Sequence, residues 1–200
     1  MLEKIDSKEV MMLDYRTMVD AVKKVTGLDV PVVFNCLQAN CGGSCYYGLG
    51  DSAWDLFDPE DLENPMICLE DLIEDCHLPH YHIGLQSNIT REDFYTTVIQ
   101  ELLLDNNIQV ELSKSMLELY VILHEFGHAH QLMVAYDGKV EKYLAETRQD
   151  REFIVYKVKN LDLDPIEGFR LYKTIPAEQY ADSFAVKYLV QTGKLLGLIS

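Results

Sequence analysis

Between Lys24 and Arg91 the chain has not one lysine or arginine. Over its whole length 17 basic side chains stand against 33 acidic ones, for a formal net charge of −16 at pH 7. Nucleic acid and anionic membranes are bound by neutralising phosphate with Lys and Arg, so this balance argues against both as direct partners. Ten acidic residues lie between Asp51 and Asp75. The plain reading of that run is a solvated acidic surface; the sharper one is a docking face for a basic protein.

Long apolar runs are missing too. No stretch approaches the ~18 uninterrupted apolar residues of a membrane span, and Met1-Leu2-Glu3-Lys4-Ile5-Asp6 has no apolar core of signal-peptide length. The expected compartment is the cytoplasm. Without a secretory signal, Cys36, Cys41, Cys45, Cys68 and Cys76, an odd number of thiols, read as reduced rather than as a disulfide framework. The gaps among the first three fall within zinc-knuckle spacing, but no fourth ligand is placed. There is no internal repeat and no low-complexity tract. Two hundred residues suit a single domain, with an α/β part to about residue 90 and a helical part from about 91.

Periodicity predicts the elements. An apolar stripe of Val10, Met11, Met18, Val22 and Val25 points to a helix from about Ser7 to Gly27. Val30–Phe34 and Tyr81–Leu85 read as strands, with Met66–Leu69 a further candidate. Thr90 is placed to cap a helix over about 91–104. Ile108–Glu111 suits either a strand or the lead into a helix. Apolar residues then recur at three- and four-residue spacing from Ser113 to Tyr136, and Asp137-Gly138 ends that helix. Another helix is expected over Val140–Asn160, a short one near Pro165, and a last one from Pro176, well suited to a first helical position, to about Thr192. The expected class is α+β: a small mixed or antiparallel sheet with a motif-bearing helix and a C-terminal ligand helix.

The chemistry concentrates at His124-Glu125-Phe126-Gly127-His128. Residues four apart on a helix share a face, so His124 and His128 can place two imidazoles on one metal ion. Glu125 sits beside the first histidine and can serve as general base toward a water at that metal without being a ligand. A chance match to three fixed positions is expected on the order of once per hundred such chains, so context decides. Leu117, Tyr120, Val121, Leu123 and Phe126 make this a core helix, where two histidines and a glutamate are costly unless satisfied. Gly127 costs up to ~1 kcal/mol against alanine in a helix, yet lets another backbone approach.

A catalytic zinc site needs a third protein ligand and an open position. Glu178 and Asp182 share a face of the last helix, with Ala181 and Ala185 on much the same side to permit tight packing on the motif helix. Glu178 is expected to be the third ligand, and Asp182 to accept a hydrogen bond from the outer nitrogen of His124. Taken alone, the pair would be a solvated helix face. Glu146, with Asp150 four residues on, is a rival of identical spacing. It is disfavoured by Arg148, Arg151 and Lys157 on its own helix.

His124-Glu125-x-x-His128 followed by Glu178-x-x-Ala181-Asp182-x-Phe184-Ala185 resembles the ImmA/IrrE-like metallopeptidases, within the gluzincin clan. The resemblance covers roughly residues 113–136 and 172–190, and the first motif is the more specific. It implies one zinc ion, an α+β fold, and cleavage of a single intracellular protein, such as a helix-turn-helix transcriptional repressor. Asp182 stands where the family usually has Asn. The long interval between His128 and Glu178 implies an inserted helix near 140–160. An alternative function is a binding protein on the same scaffold that sequesters a regulator without cutting it. Retention of Glu125 favours the enzyme, because a scaffold needs the ligands but not the base. Weaker signals are His77, His80 and His82, read mainly as loop and strand residues. His130 lies about 200° around the helix from His128 and should not share the metal. Tyr136, Tyr172 and Tyr180 are three phenols among which sequence does not choose an oxyanion donor.

Overall fold

The computed structural model describes residues 15–30, 32–34, 43–47, 81–85, 93–161 and 163–200. The elements are α1 (Tyr15–Thr26), β1 (Val32–Phe34), β2 (Gly43–Tyr47), β3 (Tyr81–Leu85), α2 (Asp93–Asp105), α3 (Lys114–Ala135), α4 (Val140–Asn160), α5 (Pro165–Tyr172) and α6 (Pro176–Leu195). The expected Ser7 start, the Met66–Leu69 strand and the Thr90 cap lie outside the described residues.

Three helices begin where the sequence satisfies the orphan amides of a first turn or dispenses with one. Ser113 caps α3, its hydroxyl accepting from the Met116 amide. Asp164 caps α5, accepting from the amides of Ile166 and Glu167. Pro165 and Pro176 open α5 and α6, where a missing N–H costs nothing. After α3, Asp137 (φ 55°) and Gly138 (φ 69°) turn the chain through the left-handed region. Gly138 N–H then closes the helix on Leu132 O.

The expected α+β class is corrected. Most of the described residues are helical, and helices packed on helices carry the core. Strands of three to five residues form one small patch in the order β1-β3-β2, with β1 parallel and β2 antiparallel to β3. Such a patch is too short to make a layer of its own. Ile108–Glu111 joins no strand: Val110 O takes its hydrogen bond from the Gln100 side chain of α2 instead.

A smaller cluster gathers Ile154, Ile175 and Ala177, and most of the buried apolar side chains form one larger cluster. Met18 and Val22 of α1, Ile99 and Leu103 of α2, Leu119, Ile122, Leu123 and Phe126 of α3, and Ala185 and Leu189 of α6 meet there, all buried. Each large side chain contributes about 1.5–3 kcal/mol by leaving water. The most extensive contact between elements is α3 on α6. Gly127 explains how close it is. A Cβ at that position would stand 2.7 Å from Ala181 Cα and 2.9 Å from Ala181 O. The missing side chain on α3 and the small one on α6 let two backbones touch. No helix among the described residues is long and apolar enough to cross a membrane.

Candidate metal centre

The close contact of α3 with α6 sets the geometry of the polar residues beside it. His124, Glu125 and His128 are buried on α3, and Glu178 and Asp182 are buried on α6. Five ionisable groups thus sit in a dry helix interface, an arrangement that costs stability unless their polar atoms are mutually satisfied.

They converge. His124 Nε2 lies 3.1 Å from Glu178 Oε2 and 3.2 Å from His128 Nε2. His128 Nε2 lies 3.6 Å from Glu178 Oε1. His124, His128 and Glu178 form a buried group that could hold a metal ion, with one ligand atom from each inside a 4.8 Å span. Zinc bonds of 2.0–2.1 Å in tetrahedral geometry put neighbouring ligand atoms roughly 3.3–3.4 Å apart. The two separations at His124 Nε2, 3.1 Å to Glu178 Oε2 and 3.2 Å to His128 Nε2, fall close to that figure. Two imidazole nitrogens and one carboxylate oxygen are also the donor chemistry such a site uses.

Outer partners hold each of these side chains. His124 Nδ1 lies 2.8 Å from Asp182 Oδ1, at ion-pair distance but outside hydrogen-bond geometry. The same oxygen accepts from Tyr120 Oη at 2.6 Å and from Lys173 Nζ at 2.8 Å. Tyr172 Oη donates to Glu178 Oε1 at 2.9 Å. Tyr143 Oη of α4 stands 3.4 Å from His128 Nδ1. With both Nδ1 atoms turned outward, both Nε2 atoms turn toward the shared centre. A cavity of about 360 Å³ opens on the far side of Asp182, walled by Val98, Ile99, Leu102 and Val186, with Tyr120 and Lys173 at its polar corner.

The electrostatics follow from burial opposed by these partners. Burial pushes the His128 imidazole down, and the Glu178 carboxylate does not fully restore it. Burial and the Lys173 charge push His124 down as well, but Asp182 and Glu178 outweigh them and the net shift is upward. Burial alone would raise Glu178; hydrogen bonds to His124 and His128 hold it well below the usual carboxylate range. Asp182, raised by burial and lowered more by His124 and Lys173, is held at about 2. Burial and the Asp182 charge push the Tyr120 phenol well above its ordinary value, so it stays a donor.

The structure therefore brings together His124, His128, Glu178 and Asp182, and sets Glu125 on the same buried turn of α3. The rival Glu146 is left out: its side chain is 53% exposed and lies 3.8 Å from Lys142. His130 also stays out and pairs with Tyr180 Oη at 2.8 Å. Of the three phenols, Tyr172 alone reaches the group; Tyr180 is engaged by His130, and Tyr136 meets Glu146. Cys45 and His82 lie on β2 and β3; the remaining cysteines, with His77 and His80, lie outside the described residues.

Sequence reasoning did not find the outer roles of Tyr120, Tyr143 and Lys173. Tyr120 was accessible, since it stands one turn before His124 on the same face. Tyr143 and Lys173 arrive through the packing of α4 and the α5–α6 turn, for which no spacing rule exists. No family model, no curated protein and no solved structure matches the chain.

Proposed function

We propose that the chain is a zinc-dependent endopeptidase that cuts a peptide bond in one specific cytoplasmic protein, with a helix-turn-helix transcriptional repressor as the leading substrate class. The observation that carries this reading is the convergence of His124, His128 and Glu178 on one buried centre, with Glu125 on the same turn of α3. A chain of charge −16 suits a basic partner, and DNA-binding proteins are commonly basic.

When bound, zinc supplies Lewis-acid chemistry, lowering the pKa of water toward neutrality and polarising a carbonyl oxygen. The protein's own residues do the rest. With an ion bound, His124 and His128 would each give it an Nε2 lone pair, and Glu178 a carboxylate that its partners keep ionised. Asp182 holds His124 in the tautomer that leaves Nε2 free. The Glu125 carboxylate takes a proton from water as the water oxygen bonds to the scissile carbonyl carbon. When the C–N bond breaks, the same proton passes to the departing amine nitrogen. A bound protein is cut once, into a new carboxylate and a new amine.

The second reading, a sequestering scaffold, uses the same ligands and leaves Glu125 without a task. Elemental analysis separates the metal claim from its denial. Protein purified without chelators should carry about one zinc per chain, and His124→Ala should carry almost none. Zinc-free wild-type protein that takes up none on dialysis against zinc would end the proposal.

A further inference from the structure

We propose that Tyr172 and Lys173, consecutive residues at the end of α5, are a positioning pair that sets the metal-facing geometry of Glu178 and Asp182. This rests on the metal site proposed above. Glu178 and Asp182 are four apart on α6, hence separated by about 6 Å along the helix axis. Only a short turn separates α5 from α6, with Lys173 in helical conformation and Ile175 as the cap of α6. That turn lays two successive side chains over two residues one helical turn apart. Tyr172 reaches Glu178 Oε1 at 2.9 Å, and Lys173 reaches Asp182 Oδ1 at 2.8 Å.

The pair is anchored on α2 and α4 as well as on α6. Arg170 of α5 grips Glu101 of α2 through two hydrogen bonds, of 2.6 and 3.0 Å. Leu171 and Tyr172 pack with Ile154 of α4 and with Ile175 and Ala177 at the start of α6. The dipeptide is therefore presented to α6 from an element fixed on its other sides.

Its two contacts do different work. Tyr172 occupies Oε1 of Glu178 and so reserves Oε2, the oxygen 3.1 Å from His124 Nε2, for the ion. The carboxylate then binds through one oxygen rather than two. Lys173 and Tyr120 both donate to the Asp182 oxygen that faces His124 Nδ1, which stops that carboxylate from rotating away from the imidazole. Neither residue touches substrate in this account; both act through the groups they hold.

The test uses zinc affinity, measured by competition with a chromophoric chelator, together with the visible spectrum of the cobalt(II)-substituted protein. A carboxylate bound through one oxygen keeps cobalt four-coordinate and strongly absorbing. Binding through both oxygens raises the coordination number and weakens the band. Tyr172→Phe keeps the ring and loses only the hydroxyl. It should weaken zinc binding by on the order of 10–100-fold, reduce the cobalt band several-fold, and leave the melting temperature of the metal-free protein within about 2 °C of wild type. Lys173→Met should weaken zinc binding to a similar degree, and Lys173→Arg should restore it. If Lys173→Met does not fold, Lys173→Gln against Lys173→Arg makes the same comparison. A Tyr172→Phe protein with zinc affinity within about twofold of wild type and an unchanged cobalt spectrum overturns the inference. So does a weakened affinity accompanied by an equal loss of metal-free stability and an unaltered spectrum, which is the signature of a mere strut. Wild-type protein that binds neither zinc nor cobalt removes the metal site itself, a result distinct from either.

Discussion

Two helices of this protein carry the same spacing, and only one of them uses it. α6 bears Glu178 and Asp182; α4 bears Glu146 and Asp150. Glu178 and Asp182 are buried against α3, whereas Glu146 and Asp150 are exposed. The carboxylates are the same, so the difference lies in their neighbours. Ala181 and Ala185 let α6 settle onto Gly127, while α4 surrounds its acids with Lys142 and Arg148, which pair with Glu146 and Glu152 along the helix surface. A ligand pattern becomes a site when small residues beside it permit two backbones to meet.

Removing one carboxylate from each helix should give the largest contrast. Glu178→Ala is expected to lower zinc affinity by roughly a thousandfold or more, since it deletes one of the three proposed ligands. Glu146→Ala should leave affinity at the wild-type value. Chelator competition on both proteins checks this, and loss of metal with Glu146→Ala would reverse the assignment.

The packing explanation is open to attack at Gly127. Alanine has the better helix propensity by about 1 kcal/mol, so on an unpacked helix Gly127→Ala would stabilise. Here the added methyl meets the Ala181 backbone, and overpacking should win, for a net loss of about 2 kcal/mol. Denaturant melts would expose the opposite sign directly.

A third expectation concerns acid. The Asp182 carboxyl is held at about 2 in the folded chain, against an ordinary value of 3.8. A depressed pKa contributes stability that is present above pH ~4 and lost as pH falls through about 2, amounting to about 2 kcal/mol. In metal-free protein, Asp182→Asn should therefore be less stable than wild type at neutral pH, with the gap narrowing below pH 4. A gap that stays constant between pH 6 and 2 would contradict the pairing.

The smallest effect belongs to α4. The Lys142–Glu146 pair is solvent-exposed on both sides, and breaking it with Glu146→Gln should change stability by no more than a few tenths of a kcal/mol. A loss above ~1 kcal/mol would mean that α4 depends on this pair in a way its exposure does not explain.

These contrasts also mark what the sequence could tell. The buried group that could hold a metal ion was legible because helical spacing is short-range: His124, His128, Glu178 and Asp182 each follow from positions four apart and from the small residues beside them. Helix boundaries were legible where the signals are local, as at Ser113 and Pro176. The class was not. Val32–Phe34 and Tyr81–Leu85 carry strand chemistry, but whether strands grow into a layer depends on long-range pairing that local pattern does not encode. At Ile108–Glu111 the open choice between a strand and the lead into a helix falls to the lead, which runs without regular structure into α3. Tyr143 and Lys173 were hidden for a related reason: they reach the site through packing and a turn.

The most direct test of the central claim compares wild type with Glu125→Gln, both loaded with zinc, in a lysate of the source cells, mapping newly formed protein N-termini by mass spectrometry. The account predicts one or very few new termini with wild type, concentrated in a single protein, and none with Glu125→Gln although it holds the same zinc. Identical termini with both proteins, or none with either, would contradict a peptidase in which Glu125 is the base.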